Sequence, residues 1–161
     1  MLVGIMSDSH DRFETMRSAI ERLQSRGCEF FIHCGDIGSA PMIELLAGLN
    51  SVFVFGNTDW ERAFVRKSAE SLNVKCLETG GAIELDGKSI FVLHGDDHAM
   101  KERVIASQQY DYVLQGHTHE MNDSKRGRTR IINPGALHRA ARHTAAILDL
   151  KTDQLEWIDA D

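Results

Sequence analysis

Apolar residues in this chain fall into short continuous runs separated by stretches of helical spacing. Leu2 to Ser7 forms the first such run; continuous runs, as opposed to alternating ones, suit strands buried on both faces. In Asp11 to Arg26, Phe13, Met16, Ile20 and Leu23 recur at helical spacing, which predicts a helix stopped at Gly27. Glu29 to Cys34 is a second strand, and Ser39 is placed to cap a following helix with Pro41 in its first turn. Ser51 to Phe55 is a third strand, so the first third reads β-α-β-α-β, with parallel strands and right-handed crossovers.

Beyond a helical stretch from Trp60 to Leu72 the pattern changes. Ala82 to Leu85 and Ser89 to Leu93 flank Asp86-Gly87, a hairpin turn signal. A helix from about His98 to Gln109 precedes an apolar strand, Tyr110 to Leu114. The remainder reads as hairpins turning near Arg126-Gly127 and Lys151-Thr152-Asp153. With no repeat or linker, the expectation is one domain over residues 1–161, of α/β class, with a mixed sheet or two stacked sheets.

Composition narrows the function classes. The 161 residues suffice for one domain and can bury a core without disulfides. No apolar run approaches the ~20 residues of a membrane span, and the first apolar run lacks the flanks of an export signal. The three cysteines form no CxxC pair, which fits a reducing compartment and a cytoplasmic location. A net charge of −6 argues against a stable nucleic-acid complex, whose affinity rests on Lys and Arg at phosphates.

The eight histidines matter by position. The first strand ends in Asp8-Ser9-His10, the second in Gly35-Asp36 and the third in Gly56-Asn57-Thr58-Asp59. The hairpin strand ends in His94-Gly95, and the strand at Tyr112 in Gly116-His117-Thr118-His119. Ligands in open α/β sheets bind beyond the carboxyl ends of strands, so these ends can share one pocket. In an extended segment residues i and i+2 point the same way, which makes Asp8 with His10, and His117 with His119, two-toothed claws. The imidazoles, carboxylates and amide exceed what one tetrahedral zinc takes and suit two divalent ions sharing a carboxylate.

This series resembles the calcineurin-like metallophosphoesterases, and most of all their small YfcE-like bacterial and archaeal phosphodiesterase branch. Asn133-Pro134-Gly135 resembles a later motif of the same branch. The resemblance implies a four-layer α/β/β/α sandwich of two mixed sheets flanked by helices. It implies one ion held by Asp8, His10, Asp36 and His119 and another by Asp36, Asn57, His94 and His117, with Asp36 as the bridge. In such a site a hydroxide shared by ions about 3.5–4 Å apart attacks phosphorus in line. Mn²⁺ is the first expectation for the metal, with Fe, Zn, Ni and Co as alternatives.

Two departures bear on leaving-group protonation. Many members have His after Gly-Asn, where this chain has Thr58; the branch often has His-Gly-His where this chain has His94-Gly95-Asp96. His98 is therefore a candidate catalytic residue beside Asp36 and Asn57, and Asp96 a candidate extra ligand. Asp59 is expected to orient a ligand from behind. His33 reads as a core histidine, His138 as a surface residue or one at the pocket edge, His143 as a surface residue, Trp60 and Phe64 as packing residues, and Cys34 as small and buried. The basic run Lys125, Arg126, Arg128 and Arg130 reads as a solvated face.

The expectation is a metal-dependent phosphodiesterase acting on a small phosphodiester, with no membrane contact and with a homo-oligomer left open. A phosphomonoesterase on the same site is the near alternative. A protein-interaction scaffold, as in the retromer subunit of this fold, is the alternative from another class, but a scaffold free of catalytic selection is expected to lose ligands.

Overall fold

The computed structural model describes residues 1–161. The first apolar run becomes β1 (Leu2–Met6), followed by α1 (Phe13–Ser25), β2 (Phe30–His33), α2 (Pro41–Glu44), β3 (Ser51–Phe53), α3 (Arg62–Ser71) and β4 (Lys75–Cys76). The second half runs β5 (Gly80–Leu85), β6 (Lys88–Leu93), α4 (His98–Ala106), β7 (Tyr112–Leu114), β8 (Met121–Arg126), β9 (Thr129–Pro134), β10 (Thr144–Asp149) and β11 (Gln154–Asp159).

These strands form two mixed sheets, a six-stranded one ordered β11-β10-β1-β2-β3-β4 and a five-stranded one ordered β5-β6-β7-β9-β8. In the first, β1 to β4 are parallel and β10 is antiparallel to β1. In the second, β6, β7 and β9 are parallel, with β5 and β8 antiparallel at the edges.

The period-two alternation of a strand explains the layering. In β1 to β3 and their continuations, Val3, Ile5, Ile32, Val52 and Val54 face the second sheet, where they meet Ile90, Val92, Leu114 and Ile132. The alternate residues Met6, Phe31, Phe53 and Phe55 face outward onto Met16, Ile20 and Leu23 of α1, Ile43 of α2 and Val65 of α3. On the opposite side Leu93, Val113 and Ile131 pack under Val104 and Ile105 of α4. The order of layers is helices, sheet, sheet, helix, as expected for the four-layer sandwich. β1 is apolar throughout because it is central in its sheet and covered on both faces.

Several local expectations need correction. Trp60 is 85% exposed and Phe64 69% exposed, so neither is a packing residue. Val65 and Ala69 form the buried stripe of α3 instead, and the two aromatics sit off it. Ser39 does not cap α2, whose first flanking residue is Ala40; its hydroxyl donates to Asp11 Oδ1 instead. α4 ends at Ala106, three residues short of Gln109, and β4 had no run long enough to announce it. No helix is long and apolar enough to cross a membrane.

Candidate metal centre

β1, β2 and β3 end on the same side of their sheet because they are parallel, and the second sheet brings β6 and β7 to meet them. The contact is direct: His94, just past β6, lies with Nδ1 2.8 Å from the carbonyl of Cys34, just past β2. Gly35 makes room for this, since a Cβ there would fall 2.7 Å from the same imidazole. Gly116 and Gly56 serve similarly, because added Cβ atoms would lie 1.8 Å from Ser7 Oγ and 2.1 Å from Asp36 Oδ1 respectively. The glycines beside the polar strand ends are therefore spaces that ligands occupy.

The segments that carry these ligands are not extended. Asp8 (φ 56°), His10 (φ 42°), Asp36 (φ 51°), His117 (φ 71°) and His119 (φ 60°) all adopt the left-handed region. This corrects the i, i+2 reading: the claws are built by alternating backbone conformations and not by a strand. Non-glycine residues held there cost on the order of 1–3 kcal/mol each and persist where the surroundings over-determine them.

Each carboxylate has one oxygen tied down and one facing inward. Asp8 Oδ2 accepts from Ser7 Oγ (2.5 Å) and from the His117 backbone N–H (3.1 Å). Asp8 Oδ1 is buried without a hydrogen-bond partner, 3.1 Å from His119 Nε2 and 3.8 Å from His10 Nε2. Asp36 Oδ1 accepts from the Thr58 N–H (2.8 Å), while Oδ2 lies 3.3 Å from His94 Nε2 and 3.7 Å from His10 Nε2. Asn57 Oδ1 lies 3.1 Å from His94 Nε2.

The imidazole tautomers complete the picture. His94 Nδ1 meets the Cys34 carbonyl and His119 Nδ1 meets the Arg139 carbonyl at 3.2 Å, so both Nδ1 atoms carry protons. In the neutral rings each Nε2 is then a lone pair aimed at carboxylate or amide oxygens. Acceptors facing acceptors, with Asp8 Oδ1 and His10 Nε2 buried and orphaned, leave a place for positive charge. Two overlapping triads meet metal-binding spacing, Asp8-His10-His119 and Asp8-Asp36-His94. The donor set of imidazole, carboxylate and amide fits divalent ions of the Mn, Fe, Zn or Co type.

Electrostatics agree. Burial lowers the pKa of His94, but Asp36 and Asp8 outweigh it and lift the pKa to about 9. Burial raises that of Asp36, yet hydrogen bonds and charge from His94 and Thr58 hold the carboxyl far below its usual range. Burial lowers that of His10 despite the same carboxylates.

The structure thus brings together Asp8, His10, Asp36, Asn57, His94 and His119. His117 sits at the edge, exposed, its ring centroid 5.1 Å from that of His94. His98 stands in the first turn of α4, exposed, without a side-chain hydrogen bond to the cluster. Asp96 is also exposed, and the α4 cap is its neighbour Asp97, which accepts from Met100 N–H at 2.8 Å. Asp59 is 3% exposed and accepts from the N–H groups of Gly56 (2.8 Å), Gly38 (2.8 Å) and Ile37 (3.3 Å). It fastens the loop after β3 to the loop after β2 and so fixes Asn57 relative to Asp36.

Sequence reasoning assigned no role to Ser7, and none to Asn133 beyond its motif. Asn133 is fully buried; its Nδ2 donates to the Gly116 carbonyl (2.9 Å) and to Thr118 Oγ1 (3.0 Å), while Oδ1 accepts from Gly135 N–H. It braces the His117–His119 loop, and an Asn before Pro-Gly was the available signal. His138 lies at the rim and not merely at the surface: its ring centroid is 5.9 Å from that of His10, and its Nδ1 accepts from Arg12 Nε (3.2 Å). His33, fully buried, meets Ser9 Oγ at 2.9 Å, and burial lowers its pKa to about 3. The basic hairpin faces carboxylates, with Arg126 on Glu102 (2.8 Å), Arg128 on Asp111 (2.6 Å) and Arg130 on Asp123 (2.8 Å).

A sandwich of two mixed sheets whose strand ends gather His, Asp and Asn around a place for cations is the framework of a metal-binding protein. Comparisons narrow it. Residues 1–153 match the calcineurin-like phosphoesterase superfamily domain. A phosphodiesterase of Methanocaldococcus jannaschii is 35% identical over 138 residues, covering 84% of this chain and 83% of that protein. The solved structure of an archaeal phosphodiesterase superposes with a TM-score of 0.91 at 32% identity, covering 99% of each chain. The phosphoesterase YfcE of E. coli shares the fold at a TM-score of 0.71 and 18% identity over 100% of both chains. The chain belongs to the calcineurin-like phosphoesterase superfamily and is a metallophosphoesterase.

Proposed function

We propose that this protein hydrolyses small phosphodiesters at a dinuclear centre, with Mn²⁺ the first choice of ion, in a reducing, cytoplasmic setting. The observation that carries the reading is the buried pair Asp8 Oδ1 and His10 Nε2, both without a hydrogen-bond partner and 3.8 Å apart, beside Asp36 Oδ2 at 3.7 Å from the same Nε2, an arrangement that a cation would satisfy. Asp8, His10, Asp36 and His119 would hold one ion, and Asp36, Asn57, His94 and His117 the other. The bridging role of Asp36 is supported by its Oδ2 lying within 3.7 Å of both His10 and His94 Nε2. Two divalent ions held there would supply a hydroxide nucleophile at neutral pH and would neutralise charge developing on the phosphoryl oxygens.

The chain's own residues do the rest. The Cys34 and Arg139 carbonyls fix which nitrogen of His94 and His119 faces inward. Ser7 and the His117 N–H orient Asp8, and the Thr58 N–H orients Asp36. The position after Asn57 offers a hydroxyl, Thr58 Oγ1, 3.3 Å from His10 Nδ1, and no imidazole. Alcohol leaving groups therefore lack an acid at this position, which favours esters of acidic alcohols. A phosphomonoester requires the site to hold one more negative charge than a diester does.

The test is hydrolysis of bis(p-nitrophenyl) phosphate with and without Mn²⁺, beside Asp36→Asn and the matching monoester. Metal-dependent cleavage of the diester, lost in Asp36→Asn and weaker on the monoester, is the expected result. A faster monoester would replace the proposal with a phosphomonoesterase, and equal inactivity of both proteins with Mn²⁺, Zn²⁺, Ni²⁺ and Co²⁺ would refute it.

A further inference from the structure

His119 lines an open cavity of about 520 Å³. That is within the roughly 300–1,000 Å³ typical of small-molecule sites. Met121 and Ala140 give it apolar wall, Glu120 one carboxylate, and Arg139 and Arg142 two guanidinium groups. Met121 is 45% exposed, an uncovered apolar side chain next to a polar centre.

The two cations are held differently. In a protein of net charge −6, most arginines are tied to carboxylates, as Arg66 is to Glu78 and Arg126 to Glu102. Arg142 is tied to Asp159 at 2.7 Å, exposed on both sides. Arg139 differs: it is exposed, its carbonyl holds His119, its φ is 55°, and its guanidinium has no hydrogen-bond or ion-pair partner within the chain. It is near enough to His10 and His138 to act on both electrostatically. Across the rim Arg12 is held only by the imidazole of His138. An unpartnered guanidinium anchored through its own backbone to a ligand histidine is positioned to meet an anion that extends from the reacting centre.

We infer that the cavity beside His119 receives one organic arm of the diester, and that Arg139 makes it favour an arm carrying a further phosphate, with the apolar wall taking a flat or aliphatic group. The role as a substrate subsite rests on the phosphodiesterase reading; the anion preference does not. The centre itself absorbs the charge of the scissile phosphate, so Arg139 is left to discriminate by what lies beyond it.

Calorimetric titration of the Mn²⁺-loaded protein with adenosine 3′,5′-bisphosphate and with adenosine 5′-monophosphate tests this. The bisphosphate is expected to bind about tenfold more tightly, as for one added charge-assisted contact. Arg139→Gln, which keeps an unbranched side chain at the left-handed position, brings the two ligands to within about twofold of each other; Arg139→Lys retains part of the difference. No preference in the wild-type protein, or a preference that survives Arg139→Gln, overturns the inference. A preference abolished by Arg139→Gln in a protein that never cleaves bis(p-nitrophenyl) phosphate would instead refute the enzymatic reading and leave the anion site standing.

Discussion

Gly116→Ala isolates the claim that the glycines here are spaces for ligands. Gly116 has no positive φ, so the substitution adds no backbone strain and acts through sterics alone. The new Cβ would lie 1.8 Å from Ser7 Oγ, 2.6 Å from Asp8 Oδ2 and 2.9 Å from Ser7 Cβ. Rotating the hydroxyl away does not suffice, because Ser7 Cβ itself is too close. The end of β1 must part from the end of β7, at a cost of about 1–3 kcal/mol for overpacking. At this chain length that is a fall in Tm of roughly 2–12 °C. The same movement pulls on the bond from the His117 N–H to Asp8 Oδ2 (3.1 Å), which spans the parting ends, and losing such an outer partner costs about 10–100-fold in metal affinity. Thermal melts and calorimetric Mn²⁺ titrations read the two effects. Ser7→Ala added to Gly116→Ala removes the worst contact, so the double variant loses less than the sum of the singles. Full additivity, or a Gly116→Ala protein that melts and binds Mn²⁺ like wild type, would refute the reasoning.

Other consequences concern protons, loops and surface. In chelator, the raised pKa of His94 means that its imidazolium stabilises the folded state fully below pH 6.5, and the gain fades as pH rises to about 9. Urea unfolding at stepped pH checks this, and stability that rises across that window contradicts it. Because a bound cation displaces that proton, Mn²⁺ binding at pH 7 releases protons, measurable as a buffer-dependent binding enthalpy. Asp59→Ala leaves three loop N–H groups without their acceptor and is expected to destabilise by about 3 kcal/mol in urea titrations. Trp60→Ser, at a residue 85% exposed, should stay within about 0.5 kcal/mol of wild type in the same assay.

Much of this was legible in the sequence, for a physical reason. Strands buried on both faces read as apolar runs, and β1 to β3 each end two or three residues before the Asp8, Gly35 or Gly56 that closes the run. The ligand types could be read for the same reason, since His10, Asp36 and His94 have no use for each other at the end of an apolar strand without a cation. The backbone conformation could not be read: Asp8 and His117 look like ordinary strand-end residues, and only tertiary contacts hold them at positive φ. Nor could the bonds of Ser7 to the Cys34 carbonyl and of Asn133 to the Gly116 carbonyl, which join segments distant in the chain; of the supporting residues only Asp59 was expected. Trp60 and Phe64 misled because side-chain size suggests burial, whereas the face of α3 that meets the sheet is set by Val65 and Ala69.

The most direct measurement is the rate of bis(p-nitrophenyl) phosphate hydrolysis as metal-free protein receives Mn²⁺ in fractions of an equivalent. A shared carboxylate between two ion positions predicts activity that climbs to a plateau at two equivalents per chain, with Asp36→Asn inactive throughout. A plateau at one equivalent, or undiminished hydrolysis in excess chelator, would contradict the account.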